Sequence, residues 1–129
     1  MIKQVRWWRV VIAAFLVEVG LAVTTLPLTL LLGERVFVTA VPVACVIVPF
    51  VITWLATRKL PSAHGLHGWL IGIVATVMYF ALVIGASSMA EAVTSYGSMA
   101  MLMVVNALRV VSAAAGGYFA GRRPAAAAV

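Results

Sequence analysis

Long apolar stretches alternate with short polar connections along the chain, and this pattern predicts four membrane-spanning helices. The apolar stretches cover about residues 10–32, 36–56, 66–89 and 99–120. A helix needs about 20 apolar residues to cross the hydrocarbon core of a bilayer, and each stretch meets that length. A transmembrane β-strand would instead alternate polar and apolar residues over about ten positions. We therefore expect an all-α membrane protein in which four antiparallel transmembrane helices form an up-down-up-down bundle.

The composition of the chain is that of a protein embedded in lipid. Hydrophobic residues make up 65% of the 129 residues and charged residues only 9%, whereas a soluble domain holds about 25% charged residues. Because the connections are short, we expect residues 1–129 to form a single transmembrane domain that ends in a flexible cytoplasmic tail, residues 121–129. The sequence contains no recognisable catalytic motif, so we predict a non-enzymatic protein without a cofactor.

Most basic residues lie on one side of the predicted bundle. Seven of the nine flank the span ends on the side of the N-terminus, namely Lys3, Arg6, Arg9, Arg58, Lys59, Arg122 and Arg123. Short loops rich in Lys and Arg stay in the cytoplasm, which accounts for the net charge of +6 without nucleic-acid binding. We therefore predict a prokaryotic plasma (inner) membrane protein that is surrounded by membrane lipids and has both termini in the cytoplasm.

Two charged residues interrupt the apolar stretches, Glu18 in the first and Arg109 in the fourth. An unpaired charge at the bilayer centre costs about 2.5–3.5 kcal/mol on insertion scales, and both residues fall near that depth. Pairing lowers both costs, so we predict that Glu18 meets Arg109 and that the first and fourth spans touch. Tyr79 and Asn106 lie at the same level, which predicts a buried polar layer of four residues at the midplane.

Small residues mark one face of the third span and one face of the fourth. Gly68 and Gly72 are four positions apart in the third span, and Ala113, Gly117 and Gly121 repeat the same spacing in the fourth. Helices in lipid associate where small side chains let their backbones approach each other closely. We predict that these two rows pack against each other near the cytoplasm. A homodimer contact through one of the rows is the alternative.

The histidines and prolines give weaker indications. His64 and His67 lie at the start of the third span without a nearby Cys, Asp or Glu. We therefore predict no metal site there, and expect both rings to stay wet at the membrane surface. Pro42 and Pro49 share one face of the second span and predict two bends that face a neighbouring helix. A hinge or an ion-coordinating carbonyl is the alternative.

The ends of the second and fourth spans resemble each other. Trp54–Lys59 and Tyr118–Arg123 both run from an aromatic residue through an apolar residue and an alanine to two basic residues. A duplicated helical hairpin would produce this similarity. Any span that leaves the membrane on the cytoplasmic side also tends to end in this way, and both explanations stay open.

Two short motifs resemble known membrane proteins. Glu18-Val19-Gly20 resembles the first span of small multidrug-resistance transporters, a resemblance that implies a dimeric four-span protein whose membrane glutamate exchanges protons for cationic drugs. Arg109 is foreign to that family. The third span begins with His67-Gly68-Trp69-Leu70-Ile71-Gly72 and, with the basic span ends, resembles short uncharacterised four-span bacterial membrane proteins, which implies a topology but no activity.

These observations lead to two hypotheses about function. The first is a non-enzymatic accessory or assembly partner of other membrane proteins, acting in a larger membrane complex, in which the Glu18–Arg109 pair fixes the helix packing. A buried ion pair often adds little stability, so its role in specifying the packing is a hypothesis. The alternative is a small, dimeric, proton-coupled transporter that uses Glu18 as its titrating site.

Overall fold

The computed structural model of the protein describes residues 5–122, which form a bundle of helices. Four of the helices are long and apolar enough to cross a membrane, and this confirms the predicted all-α, up-down-up-down membrane bundle. Lys3 and residues 123–129 of the predicted tail lie outside the described residues, whereas Gly121, predicted to begin the tail, ends the last helix. The helices are α1 (Trp7–Leu32), α2 (Glu34–Thr57), α3 (His64–Ala86), α4 (Met89–Tyr96) and α5 (Met99–Gly121).

Each of the long helices packs mainly against two others. α5 lies against α2 and α3, and α1 also lies against α2 and α3. The helices therefore follow the order α1, α2, α5, α3 around the bundle, and α1 and α5 face each other across a diagonal. The prediction that the first and fourth spans touch holds only for the side chains of Glu18 and Arg109, since the two helices are not packed neighbours. The reason is that backbone packing follows the small residues, which draw α5 against α2 and α3.

The small-residue rows of α3 and α5 meet at backbone distance. A Cβ atom added to Gly68 would lie 2.6 Å from the carbonyl oxygen of Ala113, and a Cβ on Gly117 would collide with the carbonyl oxygen of His64. Gly72 faces the backbone of Val110 in the same way, at 2.8 Å. Any larger side chain at these positions would push the two helices apart, so the close packing requires glycine.

The close packing is confined to one half of the bundle. We call the end at which α1 and α3 begin, and α2 and α5 finish, the terminal end, and the opposite end the distal end. In α1 no residue beyond Leu21 is buried, and in α3 none beyond Ala75. The terminal half is therefore solidly packed, whereas α1 and α3 bury less of their surface in the distal half.

The connection between α3 and α5 at the distal end contains a separate short helix. The third span ends at Ala86, not at the predicted residue 89, because the hydroxyl oxygen of Ser88 accepts a hydrogen bond from the Glu91 N–H and starts α4. Ser98 caps α5 in the same way. Ser at an N-cap satisfies a backbone donor that the helix itself cannot pair. By contrast, a single residue, Gly33, joins α1 to α2 in a left-handed conformation with φ +88°.

The two similar span ends have the same local geometry. The guanidinium of Arg58 lies over the ring of Trp54 at 5.3 Å, and that of Arg122 lies over the ring of Tyr118 at 4.6 Å. In each case the cation and the ring are four residues apart, so that they share a helix face. This similarity fits either a duplicated hairpin or a common way of ending a span.

We predict that Gly116→Ala destabilises the bundle. A Cβ atom at Gly116 would meet the carbonyl oxygen of Phe50, where α5 touches the backbone of α2, and overpacking of this kind costs about 1–3 kcal/mol. The measurement is the free energy of unfolding in detergent micelles. Gly85→Ala is the matched control, because a Cβ there meets nothing within 4 Å and alanine favours a helix by about 1 kcal/mol. Equal losses in the two variants would contradict the described packing.

Candidate functional site

An ion pair lies at the centre of the bundle. Nη1 of Arg109 donates a hydrogen bond to Oε1 of Glu18 across 2.5 Å. Arg109 is only 2% exposed, while the Glu18 side chain is 12% exposed. The long arginine side chain reaches across the diagonal between α5 and α1, so the two helices meet through this pair although their backbones belong to different packed pairs.

The guanidinium of Arg109 is also covered by an aromatic ring. Its Cζ atom lies 4.7 Å from the centroid of the Tyr79 ring, and the thiol of Cys45 is a further neighbour. A cation over an aromatic face is attracted by the ring quadrupole, more strongly when water is excluded. The structure therefore brings together three of the four residues predicted for the midplane layer: Glu18, Tyr79 and Arg109.

Asn106, the fourth predicted residue, does not join the ion pair. Its amide group turns back on its own helix, where Nδ2 donates to the carbonyl oxygen of Leu102 at 2.8 Å. Its Oδ1 atom and the Nε atom of Arg109 are both buried and have no hydrogen-bond partner among the described residues. Buried polar atoms without partners are unusual in native proteins and call for an explanation. A ligand that accepts a hydrogen bond from Arg109 would supply the missing partner of its Nε atom.

The ion pair forms the floor of a cleft that runs toward the distal end. The cleft has a volume of about 430 Å³, which lies within the range of small-molecule sites. Its floor is made by Glu18, Cys45, Tyr79 and Arg109, and its walls are mostly apolar. Among the described residues, the lining consists of these four and of Leu21, Ala22, Thr25, Leu26, Val41, Val83, Ser87, Glu91 and Tyr96.

The mouth of the cleft is built from the connection between α3 and α5. Ser87, Glu91 and Tyr96 line this part. Burial and the neighbouring Tyr79 raise the pKa of the Tyr96 hydroxyl, so Tyr96 is neutral at physiological pH. No pattern in the sequence indicates that Tyr96 belongs to the site, because only the fold of α4 brings it beside residues of α1 and α2.

The expectation that both histidines stay wet was wrong for His67. His67 is 1% exposed. Its Nε2 atom accepts a hydrogen bond from the backbone N–H of Arg6 at 3.1 Å, and its Nδ1 atom lies 2.8 Å from the carbonyl oxygen of Ala63. These partners fit a neutral ring that carries its proton on Nδ1. His67 thus joins the start of α1 to α3, whereas His64 is half-buried and packs against Gly121.

Between the ion pair and the terminal end, the small-residue face of α5 packs closely against its neighbours. Ala113 and Gly117 contact α3, and Gly116 contacts α2, so α5 is tightly packed against both neighbours in the terminal half. The cleft reaches the pair from the distal end, and a second opening between α1 and α3 also reaches Glu18. A proton or a small molecule that enters from the distal end meets a carboxylate and a guanidinium that are bonded to each other.

We predict strong coupling between Glu18 and Arg109 in a double-mutant cycle. Removing one partner of a buried pair costs about 3–5 kcal/mol, and Glu18→Gln should cost more than Arg109→Gln, since a carboxylate can take up a proton but a guanidinium cannot lose one. The double variant should be more stable than Glu18→Gln alone. The measurement is unfolding in detergent micelles, and losses that simply add would contradict the pairing.

Comparison of the chain with protein-family models, with curated proteins and with solved structures finds no match. The resemblances to small multidrug-resistance transporters and to four-span bacterial membrane proteins therefore rest on their short motifs alone. The function of this multi-pass membrane protein is accordingly inferred from the geometry of the ion pair and of the cleft above it.

Proposed function

We propose that the protein is a small proton-coupled transporter in which Glu18 is the titrating site. The observation that supports this most directly is the position of the Glu18–Arg109 pair at the floor of the cleft. An ionisable residue at this depth in a membrane bundle is by default a sign of an ion or substrate path, because burying a charge in the bilayer costs free energy and is rarely retained without a function.

The cleft favours transport over the accessory role. A pair that served only to fix helix packing would need neither an open approach nor a cavity of small-molecule size beside it. In this chain, tight packing closes the site toward the terminal end, while the cleft leads away from it toward the distal end. The accessory role, a larger membrane complex and a homodimer stay predictions that no contact among the described residues tests.

The opening of the cleft toward the distal end corresponds to one state of an alternating-access cycle. Transporters of this kind expose a midplane site to one side of the membrane at a time. If the basic residues of the terminal end face the cytoplasm, as the charge distribution favours, the cleft opens to the outside. The cycle then requires the packed terminal half to open while the distal half closes.

Proton binding supplies the step that could drive this cycle. A proton on Glu18 removes the negative charge from the pair and leaves the guanidinium of Arg109 without its partner. The packing around the site then loses the interaction that connects α1 to α5. Pro49 lies one helical turn after Cys45, which is at the level of the pair. Proline has no backbone N–H, so the carbonyl oxygen of Cys45 lacks the hydrogen bond that it would accept in a regular helix. This part of α2 is therefore the natural place for the helix to bend.

Cysteine labelling tests whether water reaches the cleft. In a Cys45→Ala background, we predict that a charged methanethiosulfonate reagent modifies Thr25→Cys at least tenfold faster than Val23→Cys. Thr25 lines the cleft, whereas Val23 is 66% exposed and lies outside it. The two positions are only two residues apart in α1, so they lie at nearly the same depth. Equal rates would show that the cleft is closed to water.

Proton flux tests transport itself. Proteoliposomes carrying a pH dye are given a panel of small acids, amines and uncharged solutes. We predict that at least one compound moves protons faster than in protein-free liposomes, and that Glu18→Gln abolishes this movement. Arg35→Gln is the control, since Arg35 is exposed at the distal end outside the cleft. Failure of every compound, or full flux in Glu18→Gln, would overturn the proposed function.

A further inference from the structure

We infer that the ligand of this cleft is a monocarboxylate with an apolar body, which replaces Glu18 on Arg109 while Glu18 takes up one proton. This inference rests on the proposed function and names its substrate class. It starts from the positive charge of Arg109, which persists because a guanidinium does not lose its proton in a protein.

Charge balance separates the ligand classes. A cation bound to the Glu18 carboxylate would leave Arg109 unpaired and the buried site with one net positive charge. An uncharged ligand would leave the ion pair intact and couple no proton. An anion on Arg109 together with a proton on Glu18 keeps the net charge of the site at zero, as it is in the empty cleft. Since unpaired charge in hydrocarbon is costly, the third combination is favoured.

The hydrogen bonds at Arg109 favour a carboxylate among anions. Only Nη1 of the guanidinium bonds Glu18, and the buried Nε atom has no partner among the described residues. A guanidinium presents its N–H groups as a planar fork that matches a carboxylate in two parallel hydrogen bonds. A ligand carboxylate can therefore use donors that the Glu18 side chain leaves unused, which compensates for the loss of the internal pair.

The walls of the cleft fit an apolar body on that carboxylate. Leu21, Leu26, Val41 and Val83 supply aliphatic surface, and the rings of Tyr79 and Tyr96 supply aromatic surface. The volume of about 430 Å³ accommodates a small aromatic or branched acid.

The charged and titratable groups around the cleft favour a single negative charge on the ligand. Apart from Glu18 and Arg109 the cleft holds Cys45, Tyr79, Tyr96 and Glu91. Only Arg109 is basic among them. The Glu91 carboxylate at the mouth would lie near a second negative charge on a ligand and repel it, so a dicarboxylate should bind more weakly than a monocarboxylate.

Isothermal titration of the purified full-length protein in detergent tests this assignment. The probes are benzoate, its uncharged isostere benzamide, the cation benzyltrimethylammonium and the dicarboxylate terephthalate. We expect benzoate to bind best and to carry one proton into the protein, measured in buffers that differ in ionisation enthalpy. Because the complex holds one proton more than the empty site, affinity should rise up to about tenfold for each unit by which the pH falls.

Two substitutions separate this role from a structural one. Arg109→Gln should weaken benzoate binding by about tenfold to a hundredfold, the loss expected for a hydrogen bond to a charged group. Arg35→Gln is its control, as Arg35 is exposed at the distal end outside the cleft. Glu18→Gln should bind benzoate more tightly than the wild type and without dependence on pH, because the competing carboxylate and its proton are both gone.

The outcomes are distinguishable. Preference for benzyltrimethylammonium or benzamide, failure of all four probes and of oleate to bind, or benzoate binding by the wild type without proton uptake would each overturn the inference, even if both variants fail to fold. Proton flux driven by an amine would preserve the proposed function and refute the ligand class. Benzoate binding with proton uptake but without proton flux would support the ligand class and refute the proposed function. Oleate in mixed micelles separates the two sources of a carboxylate, since benzoate binding supports a soluble acid and oleate-only binding a lipid acid.

Discussion

A guanidinium that cannot give up its proton, held in the middle of an apolar helix, constrains everything else in this structure. Arg109 must keep a negative partner or an equivalent set of acceptors wherever the helices move. Glu18 supplies that partner from across the bundle, and the Tyr79 ring covers the cation at 4.7 Å. Any ligand that displaces Glu18 must therefore supply a negative charge or hydrogen-bond acceptors for Arg109, and ligand classes differ in whether they can do so.

The glycines of α3 and α5 determine which half of the bundle is closely packed. Backbone contact at Gly68 and Gly117 brings α3 and α5 together below the pair, and helices in lipid gain stability from such contact because hydrophobic burial adds little between them. Above the pair the helices carry larger side chains, and α4 interrupts the path from α3 to α5. The same sequence thus produces a closed half and an open half, with the charges at the boundary.

The sequence was most informative where the cost of a residue in lipid is large. The lengths of the spans and the meeting of Glu18 with Arg109 follow from that cost, and the contact of Gly68 with Ala113 follows from side-chain size. The order of the helices around the bundle does not follow, because a side chain as long as arginine can pair across a diagonal as well as between neighbours. Tyr96 and His67 were missed for a related reason. Tyr96 reaches the cleft only through the fold of α4, and the ring of His67 is held by the backbone of Arg6, 61 residues earlier in the chain; a single sequence carries no sign of either contact.

The connection at Gly33 has a mechanical consequence. One residue joins the distal ends of α1 and α2, so these two ends cannot separate by more than the length of that residue allows. The segments before α3 and after it are longer, and α4 lies within the second of them. Rearrangement at the distal end must therefore move the ends of α1 and α2 together. Tilting of α1 alone would have to pivot about Gly33, since the chain has no slack there to let the two ends part.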